Sequence, residues 1–401
     1  MPMKPKIVYL DGVRGLAACI VVICHFFQVF LPSVFEGRPE IAHFAFEATA
    51  AQTPINLLFN GNFSVCLFFV LSGYVLSYRY FQTKDRLPLY SSAARRYFRL
   101  AVPAFLSVVL AYLAIIGGFG FYDDIQGITL SSMPDPFAAD TGVWTMLTES
   151  LFHTFFTYGS QYNPVLWTMT YELFGSFLIF SFLLLLGKRK LRFAVYALLI
   201  WFWIDSYYLG FVLGMLLSDL KHSDRNWLAA INRPWIHVIL VIAGIYLGSY
   251  PYWSPQGTVY SILVWEAPGF SFFEFYHVIG SFLILTALLN SSRMQTLFNR
   301  KLFAYLGKIS FSLYLVHFTI ICSLGSYIFL QLHSVLPYGM SVLLAMLSTL
   351  PVIFAVAHLF ERFVDAKTLA LLSRWSKRLF GTAKRRRREH TVQGERTVGM
   401  D

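Results

Sequence analysis

The chain has 401 residues, of which 57% are hydrophobic and 13% charged, and its mean hydropathy is +0.58. Soluble domains carry about 25% charged residues, so this composition excludes a soluble globular protein and implies an all-α integral membrane protein. The formal net charge of +11 does not mark a nucleic-acid binder, because Lys and Arg fall in short clusters between apolar runs rather than along one face.

The first apolar run, 8–30, follows a short basic segment and imitates a secretory signal peptide. It is long, is interrupted by Asp11, Arg14 and His25, and lacks a small-residue cleavage site, so it reads as an uncleaved first span. Further runs cover 63–80, 100–119, 164–186, 191–204, 206–218, 235–248, 272–289, 303–330 and 341–360, which predicts about ten transmembrane helices. The fifth and sixth are short and divided by Asp205, the pattern of a tight hairpin near the outer surface. Placing the N-terminus inside puts the basic clusters of 79–99, 188–192, 221–233 and 293–301 on the cytoplasmic side, and leaves Arg38 almost alone outside. Both termini are then cytoplasmic.

The polytopic membrane domain is expected over residues 1–365 and a basic amphipathic cytoplasmic tail over 366–401. In the tail Leu369, Leu372, Trp375 and Leu379 mix with Arg374, Lys377 and Arg378, and 384–388 is wholly basic. Such a segment lies on anionic membrane lipid, each charge contributing about 1 kcal/mol near the surface. Cys19, Cys24, Cys66 and Cys322 all lie in apolar runs without metal-like or redox-like pairing, so neither zinc nor a disulfide framework is implied. The third-to-fourth connection is acidic, with Asp123, Asp124, Asp135 and Asp140, and 250–276 is rich in Tyr, Trp and Phe. Aromatic rings stack on sugar faces, but they also gather at membrane interfaces. No internal repeat and no Rossmann or P-loop glycine pattern is present.

The charges inside the first run are the strongest functional signal. A charged side chain at the centre of a bilayer helix costs roughly 2.5 to 3.5 kcal/mol, so such residues face a polar cavity or each other. Arg14 and His25 are eleven positions apart, which on a helix is about three turns plus ~20° of rotation and a rise of ~16 Å. They share one face at two depths, and Asp11 stands one turn from Arg14, near enough to pair with it.

Five stretches carry a resemblance. Tyr9 to Ala18, with Asp11, Gly12, Arg14 and Gly15, continues to His25 with ten residues between the Arg and the His. Phe68-Phe69-Val70-Leu71-Ser72-Gly73 follows, then Arg96-Tyr97-Phe98-Arg99 with Pro103, then Leu166-Trp167-Thr168-Met169-Thr170-Tyr171-Glu172, and finally Gly307 to His317 with Ser310, Ser312 and Tyr314. Together and in this order they resemble the motifs of the membrane acyltransferase-3 family, from Tyr9 to about Phe360. The resemblance implies an integral membrane O-acyltransferase that moves an acyl group, acetyl by default, from cytosolic acyl-CoA to a hydroxyl of a cell-surface or membrane-linked carbohydrate or glycolipid. A multi-pass protein of the cell (inner) membrane is the expected setting. Many relatives carry an additional esterase-like domain, so a separate esterase-like partner is a further expectation, and some move succinyl or other acyl groups.

On this resemblance, Arg96 and Arg99 are neighbours on one helical face where a soluble CoA ester would arrive, and guanidinium groups match phosphate oxygens by bidentate hydrogen bonds. Arg14 continues that basic track, with Asp11 holding it. His25 is the candidate general base for the acceptor hydroxyl. Glu172 either orients His25 or binds the acceptor, and Trp167, Tyr171, Tyr314 and His317 are candidate substrate-binding residues. Ordinary positive-inside charge, a helix-end carboxylate and hydrogen bonding between spans are the structural alternatives for these groups. Ser72 lacks the glycine elbow of a hydrolase nucleophile, and with Gly73 it suits close helix packing. His153, His277 and His358 lie in no motif and read as structural. A transporter of an acylated or acidic small molecule is the competing class, as ten spans with internal Asp, Arg, His and Glu also describe a transport path, although the paired half-repeats of transporters are absent.

Overall fold

The computed structural model describes residues 7–222 and 226–380. Among these there is no strand, and besides a helix over 143–156 in the connection between the third and fourth, ten helices have ten residues or more: α1 Val8–Phe30, α2 Gly61–Thr83, α3 Leu87–Ile116, α4 Pro164–Leu186, α5 Arg192–Phe202, α6 Tyr208–His222, α7 Pro234–Gly248, α8 Phe272–Asn290, α9 Lys301–His333 and α10 Tyr338–Phe380. Each coincides with one apolar run. Seven of them, α1 to α4 and α8 to α10, are long and apolar enough to cross a membrane, which needs about 20 residues. The protein is an all-helical, multi-pass membrane protein. Helix starts follow local chemistry: the Asn60 side chain accepts the Phe63 N–H at 2.9 Å to cap α2, and Pro164 occupies the first turn of α4, where its missing N–H costs nothing.

Two helix pairs at the centre are held by glycine. In lipid there is no hydrophobic drive between helices, so small residues that let backbones approach decide which faces meet. A Cβ on Gly307 of α9 would fall 2.2 Å from the Asp11 carbonyl, and one on Gly15 of α1 would fall 2.4 Å from the Gly307 nitrogen. Likewise a Cβ on Gly214 of α6 would lie 2.0 Å from the Val70 carbonyl, and one on Gly73 of α2 would lie 2.3 Å from the Phe211 carbonyl. α1 and α9 therefore run side by side and parallel, from the Gly15–Gly307 contact to a contact between His25 and His317. α2 and α6 form the second parallel pair. α6 is short yet buried along nearly its whole length, and its hairpin with α5 is closed at the far end by Arg192 Nε on Asp219 Oδ2 at 2.6 Å.

One end of the bundle carries Arg96, Arg99 and Lys308 and is called the basic end. The other is covered by the long connections 31–60, 117–163 and 249–271 and is called the loop end. These connections interlock: Asn56 Nδ2 donates to the Ser249 carbonyl at 2.8 Å, and Ser132 donates to Glu36 at 2.5 Å.

The expected surface helix of the tail is the continuation of α10. A π-turn at Glu361–Asp365 shifts the register of this helix without breaking it, and presents Asp365 to Arg99 and Glu361 to Lys308 at 3.1 Å. Beyond it, Ser376 bonds Ser91 at 2.5 Å and Trp375 packs edge-on against Phe98, so the helix leans on the start of α3. The wholly basic stretch 384–388 lies outside the described residues.

Candidate active site

Two cavities meet in the middle of the bundle. The inner one, about 270 Å³, opens toward the basic end and is lined by Arg14, Ser72, Arg96, Arg99, Glu172 and Tyr314 among others. The outer one, about 540 Å³, lies under the loop-end connections and is lined by His25, Asn62, Trp167, Tyr207, Trp253 and Glu274 among others. Val65 and Tyr314 line both. Arg14 and His25, on one face of α1, thus stand in different chambers.

In the inner cavity every arginine has a carboxylate. Arg14 Nη1 is 3.1 Å from Asp11 Oδ1 one turn earlier, Arg96 pairs with Glu172, and Arg99 pairs with Asp365 while lying 5.2 Å over the Phe311 ring. Glu172 also accepts a hydrogen bond from Ser72 at 2.8 Å. Arg96 leaves its buried Nε without a partner.

At His25 the hydrogen bonds set the tautomer. The Nδ1 of His317 lies 2.9 Å from the Leu313 carbonyl, which can only accept, so that nitrogen carries the proton and Nε2 of the neutral ring is an acceptor. His25 Nδ1 lies 3.0 Å from this Nε2 and 2.9 Å from the Val21 carbonyl. Both partners accept, so with neutral rings His25 holds its proton on Nδ1. Its Nε2 keeps a free lone pair, and among the described residues it has no hydrogen-bond partner.

These two chambers, one basic and one holding an imidazole with a free Nε2, suit a reaction with two substrates. A family profile described as an acyltransferase domain matches residues 7–358. The chain belongs to the acyltransferase-3 family. Similar proteins include acyltransferase clz18 of Cochliobolus lunatus, 24% identical over 81% of this chain and 85% of its own, and acyltransferase R4 of a Phoma species, 23% identical over 82% and 86%. The O-acetyltransferase PaAT-1 of Phomopsis amygdali is 25% identical over 79% of this chain and 72% of its own. No solved structure matches the chain. The protein is an O-acyltransferase, and the transporter reading is set aside.

For this acyltransferase the structure brings most of the sequence-derived candidates to the two cavities. Tyr314 stands between them, its hydroxyl donating to the Val165 carbonyl at 2.7 Å with Thr168 Oγ1 2.9 Å away. Trp167 lines the outer cavity, whereas Tyr171 lines neither and packs in a cluster of rings with Trp167, Tyr207 and Tyr208. Glu172 sits with Ser72 and Arg96 rather than against His25, whose polar neighbour is the fully buried His317. Asn62, Tyr207, Glu274 and Asp365 joined the site without any motif pointing to them. A carboxylate such as Glu274 near the start of an apolar run was the one available signal. Among the described residues no group of His, Cys, Asp and Glu is placed to hold a metal ion.

Proposed function

We propose that the acyl donor is an acyl-CoA, acetyl-CoA by default, which enters from the basic end, and that the acceptor is a hydroxyl of a carbohydrate or glycolipid in the outer cavity. The basic end is then the cytoplasmic side, all ten helices cross the membrane, and both ends of the chain face the cytosol of a cell-membrane protein, in accord with the Lys and Arg clusters. The inner cavity is too small for a whole CoA ester but suits its thioester arm. Arg14 and Arg99, the more exposed of the three arginines, take the phosphates at the mouth, and Arg96 holds Glu172 and the cavity wall.

In the reaction, Nε2 of His25 takes the proton of the acceptor hydroxyl as its oxygen attacks the thioester carbonyl. The carbon–sulfur bond breaks, the ester forms, and the imidazolium returns the proton to the departing thiolate. His317 acts through His25: with the Val21 carbonyl it accepts from Nδ1, which keeps the productive tautomer, and it stabilises the charge that develops on the ring, as an orienting group does for other catalytic imidazoles. Two chambers meeting at one wall let both substrates reach the reaction from opposite sides without an esterase-like partner.

The observation that carries this reading is the free Nε2 of His25 in the outer cavity, with the arginine-lined cavity across Tyr314. The test is release of CoA thiol from acetyl-CoA by the purified protein in lipid vesicles with a glycan extract. Wild type is expected to release thiol when acetyl-CoA is supplied to the basic face, His25→Ala to lose release, and Arg99→Ala to raise KM for acetyl-CoA. Equal rates with acetyl-CoA supplied only to the loop face would sink the proposed sidedness.

A further inference from the structure

The outer cavity holds one charged group that the transfer steps leave unused. Glu274 stands in the first turn of α8 and lines the same cavity as His25. Its Oε1 lies 3.4 Å from the Tyr207 hydroxyl, but that hydroxyl has one proton and gives it to Asn62 Oδ1 at 2.6 Å. The shorter contacts give this bond its direction. His277 Nε2 lies 2.9 Å from the Tyr250 carbonyl and 3.3 Å from Asn60 Nδ2, and donating to the nearer carbonyl leaves its Nδ1 to accept from Asn62 Nδ2 at 2.8 Å. With that tautomer Asn62 turns its oxygen to Tyr207, and Glu274 keeps only the longer Tyr207 contact. The other oxygen, Oε2, is sealed from water and has no partner among the described residues.

No Lys or Arg among the described residues pairs with Glu274. The guanidinium that shares its cavity, Arg38, is taken by Glu40 at 3.0 Å and Glu36 at 3.4 Å. A carboxylate with one long side-chain contact and no cation partner is under-satisfied in a membrane bundle, and a ligand that brings hydrogen-bond donors lowers that cost. The surrounding groups say which donors fit. Tyr207, Gln28 and Ser132 are neutral hydroxyl and amide groups, and Trp167 and Trp253 offer flat apolar faces. Neutral polar groups beside aromatic faces match a hydroxylated ring better than a compact ammonium.

We propose that Glu274 is an acceptor-recognition residue: it accepts a hydrogen bond from a second hydroxyl of the acceptor while His25 addresses the hydroxyl to be acylated, so the acyltransferase selects polyols over simple alcohols. This rests on the reading of the outer cavity as the acceptor site. Tyr207, fixed by Asn62 and His277, holds the carboxylate in position.

The test is equilibrium dialysis of tritiated myo-inositol against the full-length protein in lipid nanodiscs, with cyclohexanol and trans-4-aminocyclohexanol as competitors on the same six-carbon ring. Wild type is expected to bind inositol saturably, and Glu274→Gln to weaken binding roughly 10- to 100-fold, the range for a lost hydrogen bond to a charged group. Glu274→Asp should recover part of the loss, and a wild-type melting temperature in Glu274→Gln excludes unfolding as the cause. Cyclohexanol should compete poorly. Absence of saturable binding to wild type, equal binding by Glu274→Gln, or stronger competition by the amino alcohol each overturns the proposal, the last by making the carboxylate a cation site. Glu274-dependent inositol binding without thiol release from acetyl-CoA would instead leave this inference standing and remove the CoA donor.

Discussion

The two cavities solve opposite problems. In the inner one Arg14, Arg96 and Arg99 are each matched by Asp11, Glu172 and Asp365, so its charges balance before any ligand arrives. In the outer one the working groups are neutral, apart from Arg38 with its carboxylates and the unpaired Glu274. Balanced ion pairs keep three guanidinium groups at membrane depth affordable, at the cost that an anionic donor must compete with a carboxylate for each of them. The outer chamber instead leaves the Nε2 lone pair of His25 open and Glu274 without a cation partner.

The sharpest break of this comparison is His25→Ala. If the chambers divide donor binding from proton transfer, kcat falls roughly 10²- to 10⁴-fold, the usual contribution of a positioned general base, while affinity for acetyl-CoA stays near wild type. Single-turnover kinetics with a separate acetyl-CoA binding isotherm check both halves. Loss of acetyl-CoA binding in this variant would merge the two chambers into one site.

Next in size is the imidazole behind it. His317→Leu removes one of the two acceptors for His25 Nδ1, leaving the Val21 carbonyl, and is expected to lower kcat about tenfold with KM little changed, since a lost hydrogen bond of this kind costs roughly 1 to 3 kcal/mol. His317→Gln, whose side-chain oxygen can accept the same proton, should recover part of the rate. The pH profile of kcat separates the roles: in His317→Leu the basic group in the complex should titrate at a different pH, whereas a merely structural His317 would lower activity and leave that profile in place.

How much of this was readable in the chain alone follows from how far apart the partners are. The shared face of Arg14 and His25 is a matter of helical period, and Asp11 lies one turn from Arg14, so these were legible. The apolar runs became helices because nothing else satisfies a backbone in lipid. His25 and His317, by contrast, are 292 positions apart and meet because Gly15 and Gly307 let α1 and α9 touch. Glu172 looked like a partner for His25 and found Arg96, because α4 packs its first turns on α3. The last apolar run ends at 360 and the tail reads as a separate surface segment, yet one helix continues to Phe380, with Glu361 and Asp365 absorbed by Lys308 and Arg99. The Glu274 network joins four segments through residues that lie outside every motif.

The pairing of the inner cavity can be tested one bond at a time. Arg96→Met leaves Glu172 with Ser72 alone in a largely buried place and is expected to destabilise the fold by about 3 kcal/mol, near the low end for a broken buried pair because the cavity admits water. Adding Glu172→Gln should restore most of that, and melting temperatures in nanodiscs for the two singles and the double close the cycle. If the double is as unstable as the sum of the singles, the pair is not what holds α3 to α4.

The smallest effect has the most informative sign. Asp365 reaches Arg99 from the π-turn of α10, and Arg99 remains a quarter exposed at the cavity mouth. If Arg99 serves the donor phosphates, Asp365 is a competitor for it, and Asp365→Asn should lower KM for acetyl-CoA roughly two- to fivefold, the scale of a partly exposed ion pair. If Asp365 instead orders the guanidinium for the phosphate, the same change raises KM. In either case ionic strength loosens the pair in wild type alone, so wild type approaches the variant and the gap closes, from above if Asp365 competes and from below if it orders. Measuring KM for Asp365→Asn and wild type at low and high salt therefore decides whether the last helix holds the donor site ready or holds it shut.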